Sequence, residues 1–192
     1  MSVAMHISNR NDSRSIPSFL HRLSETANTN SRVGVSNLVS QVSLKILRQR
    51  QSVYAAGTES KHYKDNDLNH SMRDYNTEAI QERSKFEKEN TNKYDGVDYN
   101  RGKEAAERPS LSSSSSPSSF NPQATSAVIT LLISIDGDET KLPMIHNVQD
   151  LGRALTIIAT DVQVEDCLQS AEVLWTPNDD VDVLTERDVY VE

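Results

Sequence analysis

A chain of 192 residues has room for one ordinary domain or one and a half. Only 35% of it is hydrophobic and 5% aromatic, too little to bury every segment against the entropy of ordering it, so part of the chain is expected to be unstructured. The net charge of −8 is uneven, +4 over residues 1–60, −1 over 61–108 and −11 over 109–192, which argues against nucleic-acid binding by the acidic C-terminal half and leaves only a mild, diffuse basic excess at the other end.

The lone cysteine, Cys167, excludes an internal disulfide framework and suits a reducing compartment; it reads as a small hydrophobe or a surface thiol. Residues 1–15 have no apolar run of the kind a secretory signal needs and read as a disordered tail. Ile16 to Ala27 sets Phe19, Leu20 and Leu23 on one side, with Ser15 as a cap and Pro17 near the start, which predicts a short helix. A polar break follows at Asn28–Ser31, and Ser31 is placed to cap the next element. Val35, Leu38, Val39, Val42, Ile46 and Val53 then recur at helical spacing within a stripe about 100° wide. Lys45, Arg48 and Arg50 gather near its C-terminal part, where cations suit the helix dipole. A basic amphipathic helix can lie on a membrane surface, but this apolar face lacks Trp and Phe; core packing is the expectation and peripheral membrane contact the alternative.

Gly57 to His70 is polar loop material, and His62 and His70 lack the spacing of a metal site. Ser71 to Asn92 predicts a third helix with Met72, Tyr75, Ala79 and Phe86 on one face and i,i+4 ion pairs (Arg83 with Glu87, Lys85 with Glu89) on the others. Residues 95–125, centred on Ser112–Ser116, offer no apolar face and read as a flexible Ser/Pro-rich linker.

Ala127 to Ile135 is the longest aliphatic and β-branched run, apolar on both faces, and predicts a central strand covered on both sides. It is too short to cross a bilayer as a helix, which takes about twenty apolar residues. Asp136-Gly137 signals a hairpin into a second strand at Thr140–Leu142, stopped by Pro143. Asn147 is placed to cap a helix whose inner face holds Val148, Leu151, Ala154, Leu155 and Ile158. Ala171 to Thr176 alternates as a strand, with Ala171, Val173 and a largely buried Trp175 on one face and Glu172 and Leu174 on the other. Should that strand lie parallel beside the first, the connection would be right-handed. Thr185-x-x-Asp188 predicts a short terminal helix.

The expected fold class is therefore α+β: a disordered tail (1–15), a helical segment (16–94) packing on the C-terminal sheet, a disordered linker (95–125), and a small β-β-α-β-(α) domain (126–192). The 35–53 helix has a stripe to bury and the central strand has two faces to cover, so the two are expected to meet.

Catalytic signatures are missing: there is no phosphate loop, zinc motif, nucleophile elbow or dinucleotide fingerprint. Asp136-Gly-Asp138-Glu139 looks like part of a calcium loop but lacks the closing glutamate, and reads as a turn. Asp179, Asp180 and Asp182 read as a solvated acidic loop, and His146 has no evident partner. No catalytic, cofactor-binding or metal-ligating residue is assigned, and no cofactor is expected.

Several stretches are similar to a plant and cyanobacterial family of unknown function that includes the fluctuating-light acclimation proteins of chloroplasts. They are Asn28-Thr-Asn-Ser-Arg-Val-Gly-Val35 with Ile46-Leu-Arg48, Glu82-Arg-Ser-Lys-Phe86, Ala127–Ile135, Lys141-Leu-Pro143 and Glu172-Val-Leu-Trp-Thr-Pro177, followed by Leu184-Thr-Glu-Arg187. The resemblance spans the chain from Phe19 onward apart from the Ser/Pro tract. Gln49-Arg50-Gln51 stands where that pattern commonly has a His-Pro pair, and the hydrophobic and Gly-rich stretches common in the family ahead of this part are not found here. The resemblance implies an accessory role, not a reaction, in photosynthetic acclimation or thylakoid function in the chloroplast; the expectation is a non-enzymatic protein that acts through an unidentified protein partner, with no transmembrane segment. The rival expectations are a cytosolic adaptor unrelated to photosynthesis, or an enzyme whose site carries no recognisable motif.

Overall fold

The computed structural model describes residues 1–9, 12–64, 67–91, 93–94, 97–98, 125–136, 140–177 and 184, with backbone alone for 68, 86–91, 93–94 and 97–98. The chain is an α+β protein. In order it forms β1 (Ser2–His6), α1 (Ile16–Thr26), α2 (Arg32–Arg48), a 3-10 turn (Arg50–Ser52), β2 (Val53–Gly57), α3 (Leu68–Thr91), β3 (Lys93–Tyr94), β4 (Val97–Asp98), β5 (Ser126–Ile135), α4 (Val148–Asp161) and β6 (Leu168–Thr176).

Four strands make one sheet in the order β2-β1-β5-β6, every neighbouring pair antiparallel. Strand alternation divides its side chains. Val3, Met5 and Ile7 of the β1 segment and Ala127, Ile129 and Leu131 of β5 join Ile16, Leu20, Val39, Val42, Ile46, Leu151, Leu155 and Ile158 in one core. The face built from Thr130, Leu132 and Glu172 looks toward α3, whose Arg83 pairs with Glu172.

The helix ends follow the local chemistry. Ser15 accepts from the amide of Ser18, Ser31 from Gly34, and Asn147 from Gln149 and Asp150, each satisfying amides that a helix start leaves unpaired. The apolar stripe of α2 is buried as expected, at Val39, Val42 and Ile46, and α2 lies against α4 and the sheet. Small residues let the two helices approach closely: Ser40 Oγ donates to the Ala159 carbonyl at 3.1 Å, Ser36 Oγ to that of Val162, and a Cβ on Gly152 would lie 3.6 Å from Leu47 Cδ1. Leu44, off the stripe, is exposed.

The expectations for the N-terminal half need two corrections. The 1–15 segment is not a free tail, because Ser2–His6 sits inside the sheet between β2 and β5. Five residues with two polar ends carry no local strand signal; the pairing partners, which lie elsewhere in the chain, supply it. The 16–94 segment is not wholly helical either. Helix α2 stops at Arg48, and Val53 belongs to β2, an edge strand paired with β1.

In the C-terminal half, Thr140–Leu142 is not a strand. Strand β6 pairs with β5 along nearly its whole length and is antiparallel to it, so the parallel-crossover expectation does not apply. Thr140 instead donates to Asp161 Oδ2 at 2.6 Å, tying the segment to the end of α4. The expected terminal helix and nearly all of the 95–125 linker, including Ser112–Ser116, lie outside the described residues; Val97–Asp98 pairs with Lys93–Tyr94. Leu184 is buried, and its carbonyl accepts from the amides of Thr125 and Ser126 at 3.0 and 3.1 Å. Trp175 shares the core face with Ala171 and Val173 but is half-buried rather than enclosed.

Candidate functional site

Two hollows stand out among the described residues. One, of about 970 Å³, is a shallow depression between Leu47, Arg50 and the N-terminal half of α4. The other, of about 600 Å³, is a groove with walls from α3, from the end of β2 and the loop after it (57–64), and from the end of β5 and Asp136 (130–136). The second gathers carboxylates, lysines and tyrosines from α3 and the loop, with aliphatic side chains that include Leu132, Leu142 and Ile158 in its lining. A mostly preformed concavity with a few polar groups is the usual form of a binding site.

The spacing of α3 places Ser71, Tyr75, Glu78 and Glu82, at i, i+4, i+7 and i+11, along one helix face in the groove. Ala79 packs beneath at 3% exposure. Met72, expected on this inner face, is 46% exposed; the true face is rotated toward the polar side of the helix. Phe86 falls where only the backbone is described.

On the loop wall, Lys61 Nζ meets Glu78 Oε1 at 2.6 Å and Glu59 Oε1 at 3.9 Å, and the bond to Glu78 raises the Lys61 pKa. Tyr63 donates to Asp74 Oδ2 at 2.6 Å, which lowers the carboxyl and raises the phenol. His70 stands edge-on to Tyr63 at 5.8 Å and 3.7 Å from Asp74. The Tyr75 hydroxyl is buried with no hydrogen-bond partner among the described residues, and burial, with Glu172 nearby, pushes its pKa up to about 12. It is a neutral donor at any physiological pH.

At the sheet end of the groove, the Met1 amino group donates to the Leu131 carbonyl at 2.9 Å, and the Leu131 amide donates back to Met1 at 2.8 Å. Burial lowers the Met1 amine, while Glu82 and Glu59 act in the opposite direction. Five carboxylates and two lysines line the groove, so its field favours cations.

The residues weighed from sequence are scattered. His62 and His70 border the groove, whereas His146 is exposed at the start of α4, its amide 3.3 Å from Asp150 Oδ2. Cys167 is half-buried in the turn before β6 and forms no disulfide. Asp136 is exposed at the end of β5; Asp138, Glu139, Asp179, Asp180 and Asp182 lie outside the described residues. No cluster of three metal-ligating side chains occurs among the described residues. Sequence reasoning missed Tyr63, Tyr75 and Glu78 as site residues: Tyr63 and Glu78 read as ordinary polar surface positions, and Tyr75 as packing on the inner face of its helix, until the sheet lies opposite.

The family model described as a protein of unknown function, DUF1517, matches residues 1–192. The chain belongs to this family. Among curated proteins it is 26% identical over 176 residues to the FLUCTUATING-LIGHT-ACCLIMATION protein 1, chloroplastic, of Arabidopsis thaliana. The match covers 92% of this chain but 41% of that relative's length. No solved structure matches the chain. No helix among the described residues is long and apolar enough to cross a membrane.

Proposed function

We propose that this DUF1517 protein is a non-enzymatic accessory protein of the plastid that serves acclimation to changing light by holding a protein partner in the groove between α3 and β5. The name of its Arabidopsis relative supports the compartment and the process. The single observation supporting the mode of action is the groove itself. It is about 600 Å³ in volume, has aliphatic side chains in its lining and an acidic rim, and presents an unused buried hydroxyl at Tyr75. Such a surface offers contact area and directional hydrogen bonds without requiring a reacting group.

The test is complementation of a null line under fluctuating light, with fluorescent fusions of the wild type and of Ser71→Trp, which places an indole in the groove. The expected result is plastid fluorescence for both and rescue by the wild type alone. A cytosolic wild-type fusion, or full rescue by a folded Ser71→Trp, would overturn the proposal.

A further inference from the structure

The hollow beside the start of α4 differs from the groove in charge and in what walls it. Its lining holds two arginines, Arg50 and Arg153, and no carboxylate, in a chain whose net charge is −8. Leu47 and Ile157 are half-buried, Val148 is 37% exposed and both arginines are exposed, so the guanidiniums stand outward of the aliphatic groups. Gly152 keeps the space between them open, since a Cβ there would meet only Leu47 Cδ1, at 3.6 Å. Among the described residues Arg50 meets no carboxylate, and Arg153 reaches only Asp150, at 3.9 Å. Both guanidiniums are available to a guest.

The walls restrict the form of that guest. The backbone bonds of α2 and α4 are made within each helix, and two of the amides that the start of α4 leaves free, those of Gln149 and Asp150, are taken by the Asn147 side chain. The hollow therefore offers no backbone partner to an extended strand and no open helix start to a small anion. A guest that lays apolar surface here has to satisfy its own backbone, as an α-helix does. The lining runs from Asn147 to Ile157, about 15 Å along α4, the length of roughly two to three turns of a facing helix. Its shallowness disfavours a small ligand, which needs enclosure on most sides. A membrane surface takes apolar groups that protrude beyond the charged ones, the reverse of this arrangement.

We propose that this hollow docks an acidic amphipathic helix of a partner protein, with its apolar side chains on Leu47, Val148 and Ile157 and its carboxylates on Arg50 and Arg153. The charges fix the orientation and speed the encounter, and the apolar contact supplies the affinity. The surface is separate from the α3 groove, whose acidic rim suits a guest of opposite charge, and the proposal does not rest on that groove being a partner site.

The experiment uses the full chain and three capped peptides of about eighteen residues. One is an amphipathic helix of Leu, Ala and Glu, one has the same composition scrambled to abolish the apolar face, and one is the amphipathic form with Lys for Glu. Affinity is read by anisotropy and the site by NMR shifts of the Gly152, Thr156 and Ile157 amides. The acidic amphipathic peptide should bind, weaken with salt and shift these amides, and the scrambled peptide should bind about tenfold more weakly or less. The Lys form should leave the three amides unshifted. Arg50→Glu combined with Arg153→Glu, both exposed positions, should weaken the acidic peptide by about tenfold or more, whereas Ser71→Trp in the α3 groove should change nothing.

Failure of the acidic peptide to bind, equal binding of the scrambled one, or shifts that fall on the α3 groove and vanish with Ser71→Trp would each overturn the proposal. Binding to vesicles of phosphatidylcholine and phosphatidylglycerol that the double arginine variant loses, with no binding of the acidic peptide, would give the surface to a membrane instead. If the double variant does not fold, the wild-type shifts and the scrambled peptide decide the matter.

Discussion

The two faces of the central sheet are covered in different ways. On one, α1, α2 and α4 bury a continuous aliphatic core in which Val39, Val42, Ile46, Ile129 and Leu155 are fully enclosed. On the other, a single helix, α3, stands over β5 and β6 and leaves room for a groove, with ion pairs and tyrosine hydroxyls where the first face has methyl groups. Apolar burial is non-directional and favours close packing, so the first face is where the fold is held. Polar groups around a hollow stabilise the native state little and remain available to a guest, so the second face is where binding belongs.

Truncation should separate the faces most sharply. Ile129→Ala should cost about 2–5 kcal/mol, and Leu132→Ala, half-exposed on the α3 side, distinctly less. Equal losses in urea unfolding would mean the second face is as tightly packed as the first. Trp175→Ala comes next. A fully buried tryptophan would cost about 3–5 kcal/mol, and its half-burial reduces the expectation to roughly 1–3. Its emission maximum should lie between the buried and solvent-exposed limits.

Glycine offers a contrast within the core face itself. A Cβ on Gly34 would sit 1.8 Å from the Asn28 carbonyl oxygen, so Gly34→Ala should destabilise by more than about 1 kcal/mol despite alanine's better helix propensity. Gly152→Ala meets only Leu47 Cδ1 at 3.6 Å and should be neutral or stabilising by up to about 1 kcal/mol. Thermal melts of the two variants moving in the same direction would contradict this packing.

The α3 face should respond to smaller perturbations and to solvent conditions. Glu172→Gln removes the paired carboxylate of Arg83, whose two contacts measure 2.6 and 2.9 Å, and should cost about 0.2–1 kcal/mol, a difference that shrinks in salt. Tyr75 gives the pH counterpart. Its folded pKa is raised, so its contribution is intact below the ordinary 10.0 and is lost as pH rises toward about 12. Ultraviolet titration should show Tyr75 among the last tyrosines to ionise, and Tyr75→Phe should remove a late step while leaving that of Tyr63; a Tyr75 that ionises with the exposed phenols would place α3 off the sheet. Asp74 acts with the opposite sign. Its lowered pKa supports the fold above the ordinary carboxylate range, and that support is lost as pH falls through the folded value.

What the sequence determined alone was local. Ser15, Ser31 and Asn147 cap their helices because a hydroxyl or amide oxygen before a helical run meets free amides two or three residues away. The stripe on α2, the inner face of α4 and the aliphatic run of β5 were legible for the same reason: periodicity is a property of neighbours in the chain. The tertiary structure decided what depends on distant partners. Ser2–His6 is a strand only because β5 and β2 flank it, and Val53 leaves the helical pattern because β1 offers it backbone bonds. Thr140–Leu142 gives up the strand its turn signal promised and is tied instead to the end of α4 through Asp161 and, at Pro143, to Thr58 after β2. The candidate site belongs to this second class. Glu78 looks like a surface residue on a charged helix, and Tyr75, Ile133 and Ile135 like core. Only the stacking of α3 over β5 brings a neutral phenol, carboxylates and the aliphatic residues of the strand into one groove.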